Sequence, residues 1–196
     1  DPNIKIKKNI IMSELNFRNQ LIHKSKDLSI YNDSKCTNLS NAVYKINLIK
    51  SSKKILILGG KLKTSDHSKL LISNTLVLIF GNYSDLFLAR LNFINSRFYK
   101  FTELNELVNF LRLVTKIYKY NYILFSPGGE SFDNYQNYSD RGKKFNRLIK
   151  KIIFWEIHYL EMIKVYLVQI GIFYQKNFLL FLLYYLLLAY LLFIHW

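Results

Sequence analysis

The chain has 196 residues, with 28 Lys or Arg against 13 Asp or Glu and a formal net charge of +15. A hydrophobic fraction of 51% excludes a disordered chain, and seven Gly with two Pro exclude a collagen-like one. The single cysteine, Cys36, excludes an internal disulfide, and the length predicts one domain with an appended segment.

Strands and helices alternate in the prediction as far as residue 150. In chain order, the predicted elements are strands at residues 20–23 and 28–32, a helix at 39–49, a strand at 54–58, a helix at 66–72, a strand at 75–80, a helix at 103–118, a strand at 122–125 and a helix at 137–150. The later strands are continuous apolar runs, typical of strands buried on both faces. This order predicts an α/β fold, a Rossmann-like, mostly parallel sheet flanked by helices.

Beyond residue 150 the chain becomes almost continuously apolar. We expect an apolar helical tail at residues 153–196, in which residues 177–196 are long enough to span a membrane. Inner-membrane association would then run through residues 157–196. A docked soluble helix and translated noncoding sequence are the open alternatives. The remaining boundaries predicted are a remnant of a preceding domain at residues 1–14 and the α/β domain at residues 15–152.

Polar or glycine-rich loops follow three of the predicted strands, where ligands gather in parallel sheets. The first loop, residues 32–38 (Asn-Asp-Ser-Lys-Cys-Thr-Asn), carries a carboxylate and an ammonium group before a helix. Asp33 is suited to accept hydrogen bonds from ribose hydroxyls, and Lys35 with the helix N-terminus is suited to hold phosphate. The alternative is capping, in which Thr37 or Asn38 satisfies the first helical N–H groups.

The other two loops are equally open to a binding or a structural interpretation. The second loop, residues 59–63 (Gly-Gly-Lys-Leu-Lys), either brings Lys61 or Lys63 to a carboxylate or phosphate, or is a tight turn with solvated lysines. The third loop, residues 126–131 (Ser-Pro-Gly-Gly-Glu-Ser), opens a stretch that continues through aromatic residues to Gly142. It is either a carboxylate-binding turn that uses the Ser131 hydroxyl, or a loop and helix cap.

Metal binding, thiol chemistry and nucleic-acid binding find little support in the sequence. The four His residues are too widely separated to suggest zinc, and Cys36 has no neighbouring base, so it is interpreted as a structural thiol. The positive charge indicates either an anion-binding surface or the Lys-rich composition that an AT-rich genome encodes. No nucleic-acid-binding motif accompanies the charge, so nucleic acid is not an expected partner.

The three loops, in this order, resemble the C-terminal domain of the Mur ligases, most closely the family of UDP-N-acetylmuramoyl-L-alanine:D-glutamate ligases (MurD). Residues 32–38 match the family's Asn-Asp-Ser-Lys-Ala-Thr-Asn, and residues 57–63 match its Leu-Gly-Gly-x-x-Lys turn. Residues 126–142 match Ser-Pro-x-x-x-Ser-x-Asp-x-Phe-x-Asn-Phe-x-x-Arg-Gly. Arg18 stands where the family keeps an arginine, and the resemblance covers about residues 10–150.

The resemblance implies an ATP-dependent, ADP-forming ligase that adds D-glutamate to UDP-N-acetylmuramoyl-L-alanine through an acyl phosphate, in cytoplasmic peptidoglycan synthesis. It implies nucleotide contacts from Arg18, Asp33 and Lys35, with Lys35 also the catalytic residue at the phosphates or acyl phosphate. The residues implied to hold D-glutamate are Thr37, Lys63, Ser131, Phe132 and Tyr138.

Several departures from the family pattern stand beside this resemblance. Glu-Leu-Asn-Phe precedes Arg18 in place of Gly-Leu-Pro-His, Thr64 replaces a Gly, and Gly-Gly-Glu130 replaces Ala-Cys-Ala. The sequence contains no Gly-x-x-x-x-Gly-Lys-Ser/Thr phosphate loop, so the ATP phosphate site and the magnesium ligands are expected in a central domain outside this fragment. The alternative function is a catalytically inactive, truncated domain that acts as a membrane-anchored binding module.

Overall fold

A computed structural model of the protein describes residues 16–63 and 69–153. The chain divides into two compact units, Asp1–Lys150 and Lys151–Trp196. The predictions for residues 1–14 and for the apolar tail, including the membrane span at residues 177–196, lie outside the described residues. Within the described ranges, none of the helices combines the length and the apolar character that crossing a membrane requires.

The elements of the first unit alternate between strands and helices. In chain order they are β1 (Gln20–Lys24), β2 (Ser29–Asn32), α1 (Leu39–Leu48), β3 (Lys54–Gly59), β4 (Leu70–Ser73), β5 (Thr75–Phe80), α2 (Ser84–Arg90), β6 (Leu91–Ile94), β7 (Arg97–Phe101), α3 (Leu104–Tyr118) and β8 (Tyr122–Gly128). A further helix, α4, occupies residues 138–153.

The main sheet has six strands in the order β1-β2-β8-β3-β5-β7. Only the β1–β2 pair is antiparallel in this sheet, and β2–β8, β8–β3, β3–β5 and β5–β7 are parallel. β4 and β6 form a separate parallel pair. Every residue of β3 and β5 is buried, as their continuous apolar runs predict. The predicted α/β fold with a mostly parallel sheet is confirmed.

Helices cover both faces of the sheet and form the core. On one face, Ala42 and Ile46 of α1 are fully buried against Leu56 and Leu124 of the central strands. On the other face, the rings of Phe125 in β8 and Phe145 in α4 stack with centroids 4.0 Å apart. Burial on both faces fixes the strand ends, and with them the loops that follow.

The helix predicted at residues 66–72 is wrong at its C-terminal end. Residues 70–72 lie in β4, where Ile72 is fully buried, and residues 64–68 lie outside the described residues. A short apolar run does not show whether its hydrophobic residues repeat with the period of a helix or of a strand. Here the pairing with β6 determines the extended conformation. The elements α2, β6 and β7 were also not predicted. They are only four to seven residues long, and most of β7 is exposed.

Candidate functional site

Three loops meet at one edge of the sheet, because the strands that precede them, β2, β8 and β3, are neighbours. We call residues 32–38, 59–63 and 126–138 together the loop cluster. The Lys61 N–H donates to the Glu130 carbonyl at 2.9 Å, and the Glu130 N–H donates back to the Lys61 carbonyl at 2.8 Å. The Gly128 N–H donates to the Cys36 carbonyl at 3.0 Å. Backbone hydrogen bonds therefore join the third loop to each of the other two.

Glycines permit this close approach of backbones. Gly60 has a φ of +93°, and a Cβ there would collide with the Glu130 carbonyl and with the Arg141 guanidinium. A Cβ on Gly129 would lie 2.8 Å from the Gly60 carbonyl carbon. Side chains at these positions would separate the second and third loops, so the paired glycines are required by the packing.

Arg141, on α4, ties the loops together from inside the protein. It is fully buried, and its Nη2 and Nε groups donate to the Ser34 carbonyl at 2.9 Å and the Ser34 hydroxyl at 3.2 Å. Its Nη1 group donates to the Gly129 carbonyl at 3.0 Å. Burial lowers the Arg141 pKa to about 10, against the opposing influence of the nearby Asp133 carboxyl. One buried cation thus fixes two loops relative to each other.

The sequence reasoning missed this role of Arg141. The available signal was the Arg-Gly pair within a predicted helix, since glycine weakens a helix unless packing requires it. The structure supplies that requirement: a Cβ on Gly142 would collide with the Phe17 ring. The pair therefore marks a place where α4 is pressed against the turn before β1.

Asp33 occupies the centre of the first loop with its side chain almost fully buried. Its carboxylate accepts hydrogen bonds from the Asn19 N–H at 3.1 Å and the Ser126 hydroxyl at 3.0 Å. It also forms an ion pair with Lys45 of α1, a residue that the sequence reasoning did not select. In this arrangement Asp33 holds the start of the first loop against β8 and α1.

The rest of the first loop combines capping with exposed polar groups. Asn38 is the N-cap of α1, and its side-chain oxygen accepts from the Asn41 N–H at 3.0 Å, which confirms the capping interpretation for Asn38. Lys35 is exposed, and its ammonium group lies 5.1 Å from the centroid of the Tyr138 ring. Thr37 is half-buried between these residues. Because Asn38 caps the helix, the exposed ammonium group of Lys35 takes no part in capping and can face a ligand.

The second and third loops present another cation, a hydroxyl and an aromatic ring. Lys63 is exposed, and its Nζ lies 3.8 Å from Glu130 Oε1. Ser131 is buried, whereas the neighbouring Phe132 is 72% exposed. Together with Lys35, five more of the predicted residues belong to the three loops of the cluster: Thr37, Lys63, Ser131, Phe132 and Tyr138. Arg18 is exposed in the turn before β1.

Asp133, in the third loop, has the least satisfied carboxyl group among the described residues. Both of its oxygens are buried, and in the described part of the chain neither has a hydrogen-bond partner in good geometry, although the backbone N–H groups of Asn134 and Asp133 are near. Burial raises the Asp133 pKa, and that shift is opposed by the nearby backbone N–H groups of Asn134 and Asp133 and, to a smaller extent, by the positive charge of Arg141. Within residues 16–63 and 69–153, no group of three His, Cys, Asp or Glu side chains is arranged to hold a metal ion.

This α/β domain, with three loops at adjacent strand ends, is similar in sequence to known ligases. No family model matches the chain. A UDP-N-acetylmuramoylalanine–D-glutamate ligase of Prochlorococcus marinus is 36% identical over 146 residues, which cover 70% of this chain and 31% of the relative. The ligases of the same name from Petrotoga mobilis and Aquifex aeolicus are 31% and 30% identical, over 70% and 63% of this chain.

The chain therefore carries a Mur ligase domain. Within that family it is MurD-like, since the three relatives named above are UDP-N-acetylmuramoylalanine–D-glutamate ligases. The chain spans about a third of the length of the curated relatives it matches, 30–32% in these three cases.

Proposed function

We propose that this chain is the amino-acid-binding and nucleotide-contacting C-terminal part of an ATP-dependent, ADP-forming ligase. The reaction adds D-glutamate to UDP-N-acetylmuramoyl-L-alanine through an acyl phosphate, in peptidoglycan synthesis. The observation that supports this proposal most strongly is the loop cluster itself. It brings exposed ammonium groups and hydroxyls together on a frame fixed by buried hydrogen bonds.

The second and third loops suit a dicarboxylic amino acid. Lys63 offers an exposed ammonium group for one carboxylate, and a charge-assisted hydrogen bond of this kind is stronger than a neutral one. Ser131 and Thr37 offer hydroxyl donors close to the bonds that join the loops. The exposed Phe132 ring and the half-buried Tyr138 ring can cover the methylene groups of D-glutamate.

The first loop suits the phosphate side of the reaction. Lys35 is exposed, and its ammonium group lies 5.1 Å from the ring centroid of Tyr138, a residue proposed to contact D-glutamate. A cation there stabilises charge that develops on phosphoryl oxygens, which is the proposed catalytic role of Lys35. Arg18 is exposed and available to a nucleotide, whereas a contact from Asp33 requires Lys45 to leave its ion pair. The magnesium ligands are expected outside this chain.

The proposal is tested by supplying the chain together with the N-terminal and central domains of a related D-glutamate ligase. Lys63→Ala should weaken the use of D-glutamate by roughly 10- to 150-fold, because a lost charged hydrogen bond costs about 1.5–3 kcal/mol. Lys61→Ala is the matched control, since Lys61 lies in the same loop, is exposed and joins the third loop through its backbone. An unchanged KM for D-glutamate in Lys63→Ala, or an equal effect of Lys61→Ala, would contradict the assignment.

A further inference from the structure

Glu130 is held next to Lys63 by the backbone of the loop cluster. Its N–H and carbonyl both bond to Lys61, at 2.8 and 2.9 Å, as an isolated antiparallel bridge. The glycines on either side, Gly60 and Gly129, allow the two backbones to touch. The backbone of Glu130 is therefore fixed opposite Lys61, which lies two residues before Lys63 in the second loop.

The ion pair that results is loose and open to solvent. Glu130 Oε1 lies 3.8 Å from Lys63 Nζ, and the side chains are 36% and 55% exposed, respectively. Exposed pairs at such distances are weak, because water screens the charges and both side chains lose rotamer freedom. A carboxylate on a ligand can therefore replace Glu130 at Lys63, but it must displace Glu130 and approach its negative charge.

We propose that Glu130 is a specificity-determining residue of this site. Its carboxylate pairs with Lys63 and so competes with the second carboxylate of a ligand, which lowers the affinity of the site for dicarboxylates. The inference rests on the proposed function in one respect, the use of Lys63 to bind the dicarboxylate. Glu130 then sets how strongly the site favours an acidic side chain over its neutral amide. With Glu130 present, D-glutamate loses part of the advantage that Lys63 gives it over D-glutamine.

The test is a titration of the full chain, labelled with nitrogen-15, with D-glutamate and with D-glutamine, followed by NMR. Glu130→Gln keeps the backbone bridge and nearly the same shape, but removes the charge. It should tighten D-glutamate binding roughly two- to fivefold, the scale of an exposed ion pair. The affinity for D-glutamine should not change. Lys63→Met should weaken the binding of D-glutamate and leave that of D-glutamine unaltered.

Asp85→Asn is the matched charge control. Asp85 is an exposed carboxylate in the first turn of α2 that pairs with Lys100 at 2.8 Å and is not part of the loop cluster. Both substitutions remove one negative charge from the chain. Asp85→Asn should leave both affinities as they are in the unsubstituted chain, while the amide spectra of all variants report whether the fold is retained.

The possible outcomes separate the two proposals. If Lys63→Met weakens D-glutamate binding while Glu130→Gln has no effect, the role of Glu130 is overturned and the proposed function stands. An equal gain in Asp85→Asn, or an equal gain for D-glutamine in Glu130→Gln, would also overturn it. If neither the unsubstituted chain nor Glu130→Gln binds D-glutamate, the proposed function fails and the role of Glu130 fails with it.

Discussion

The edge of the sheet at which the strands end has two halves that are built differently. The first half lies at the ends of β2, β3 and β8, and the second half lies at the ends of β5 and β7. At the ends of β2, β3 and β8, buried side chains bond to residues far away in the sequence, as when Arg141 contacts Ser34 across 107 residues. At the ends of β5 and β7 the buried side-chain hydrogen bond is local, since the Ser84 hydroxyl donates to the Gly81 carbonyl three residues away, and the longer-range Lys100–Asp85 pair is exposed. The first half therefore holds its loops in fixed positions, whereas the second half mainly starts the next helix.

The second half nevertheless contains a cleft, which provides an internal comparison. An open, mostly polar cavity of about 450 Å³ is lined by Phe80, Glu103 and Asn105 of this half, by Lys144 and Arg147 of α4, and also by Asn134 and Tyr135 of the third loop. Glu103 is engaged in a capping box at the start of α3. Polar character alone does not separate the two halves. The difference lies in the buried, long-range hydrogen bonds of the loop cluster.

The largest expected effect comes from removing the buried cation of the loop cluster. Arg141→Met leaves the Ser34 and Gly129 carbonyls without their donors, and each buried unsatisfied group costs about 1–3 kcal/mol. We expect a loss of about 3–5 kcal/mol in the free energy of unfolding, measured by urea denaturation. Arg147→Met is the control, since Arg147 lies on the same helix but is exposed. Similar losses in the two variants would show that α4, rather than the loop cluster, is the sensitive element.

A pair of glycines compares the two halves directly. Gly60 and Gly81 have φ values of +93° and +90°, so alanine carries a similar backbone strain at both positions, about 1–2 kcal/mol. At Gly81 the added Cβ meets only Asp133 Oδ2, at an ordinary 3.4 Å, whereas at Gly60 it collides with the third loop. Overpacking typically costs a further 1–3 kcal/mol, roughly, so Gly60→Ala should unfold more easily than Gly81→Ala by that amount. If Gly60→Ala and Gly81→Ala had equal denaturation midpoints and slopes, the second and third loops would be able to separate without loss of stability.

The smallest expected effect concerns Asp133, which lies between the two halves. Burial raises its pKa in the folded state above the ordinary value of 3.8, so the folded protein binds this proton more tightly than the unfolded chain does. The resulting stability is complete below the unfolded pKa and is lost as the pH rises through the folded pKa. Relative to Asp133→Asn, the unsubstituted chain should therefore become more stable as the pH is lowered from 7 to below 4, in denaturation curves measured at each pH. A difference that is constant with pH, or that falls on acidification, would contradict this environment for Asp133.

Sequence patterns predicted the fold where burial dominates and failed where it does not. β3 and β5 are buried on every residue, and such runs have few alternatives to a central strand. β7 is paired on one side only and largely exposed, so its composition carries little signal. The short β4 is extended because it pairs with β6, a contact that a local pattern does not contain.

The same division applies to the site. The strand order brings the three loops together, which the topology of parallel sheets predicts from their positions at strand ends. The partners that fix the loops, Lys45 for Asp33 and Arg141 for Ser34, depend on how α1 and α4 pack on opposite faces of the sheet. Those contacts arise from tertiary packing and were not predicted. The roles of the individual ligand-binding residues stay predictions.

The functional difference between the two halves is tested most directly by mapping D-glutamate on the full chain with nitrogen-15 NMR. If the loop cluster is the amino-acid site, the amide signals that shift on titration should belong to residues 35–37, 61–63, 130–132 and 138. Those beside the polar cleft, at Asn82, Glu103 and Arg147, should stay in place. Shifts that centre on the cleft, or a spectrum that D-glutamate does not change, would contradict the account.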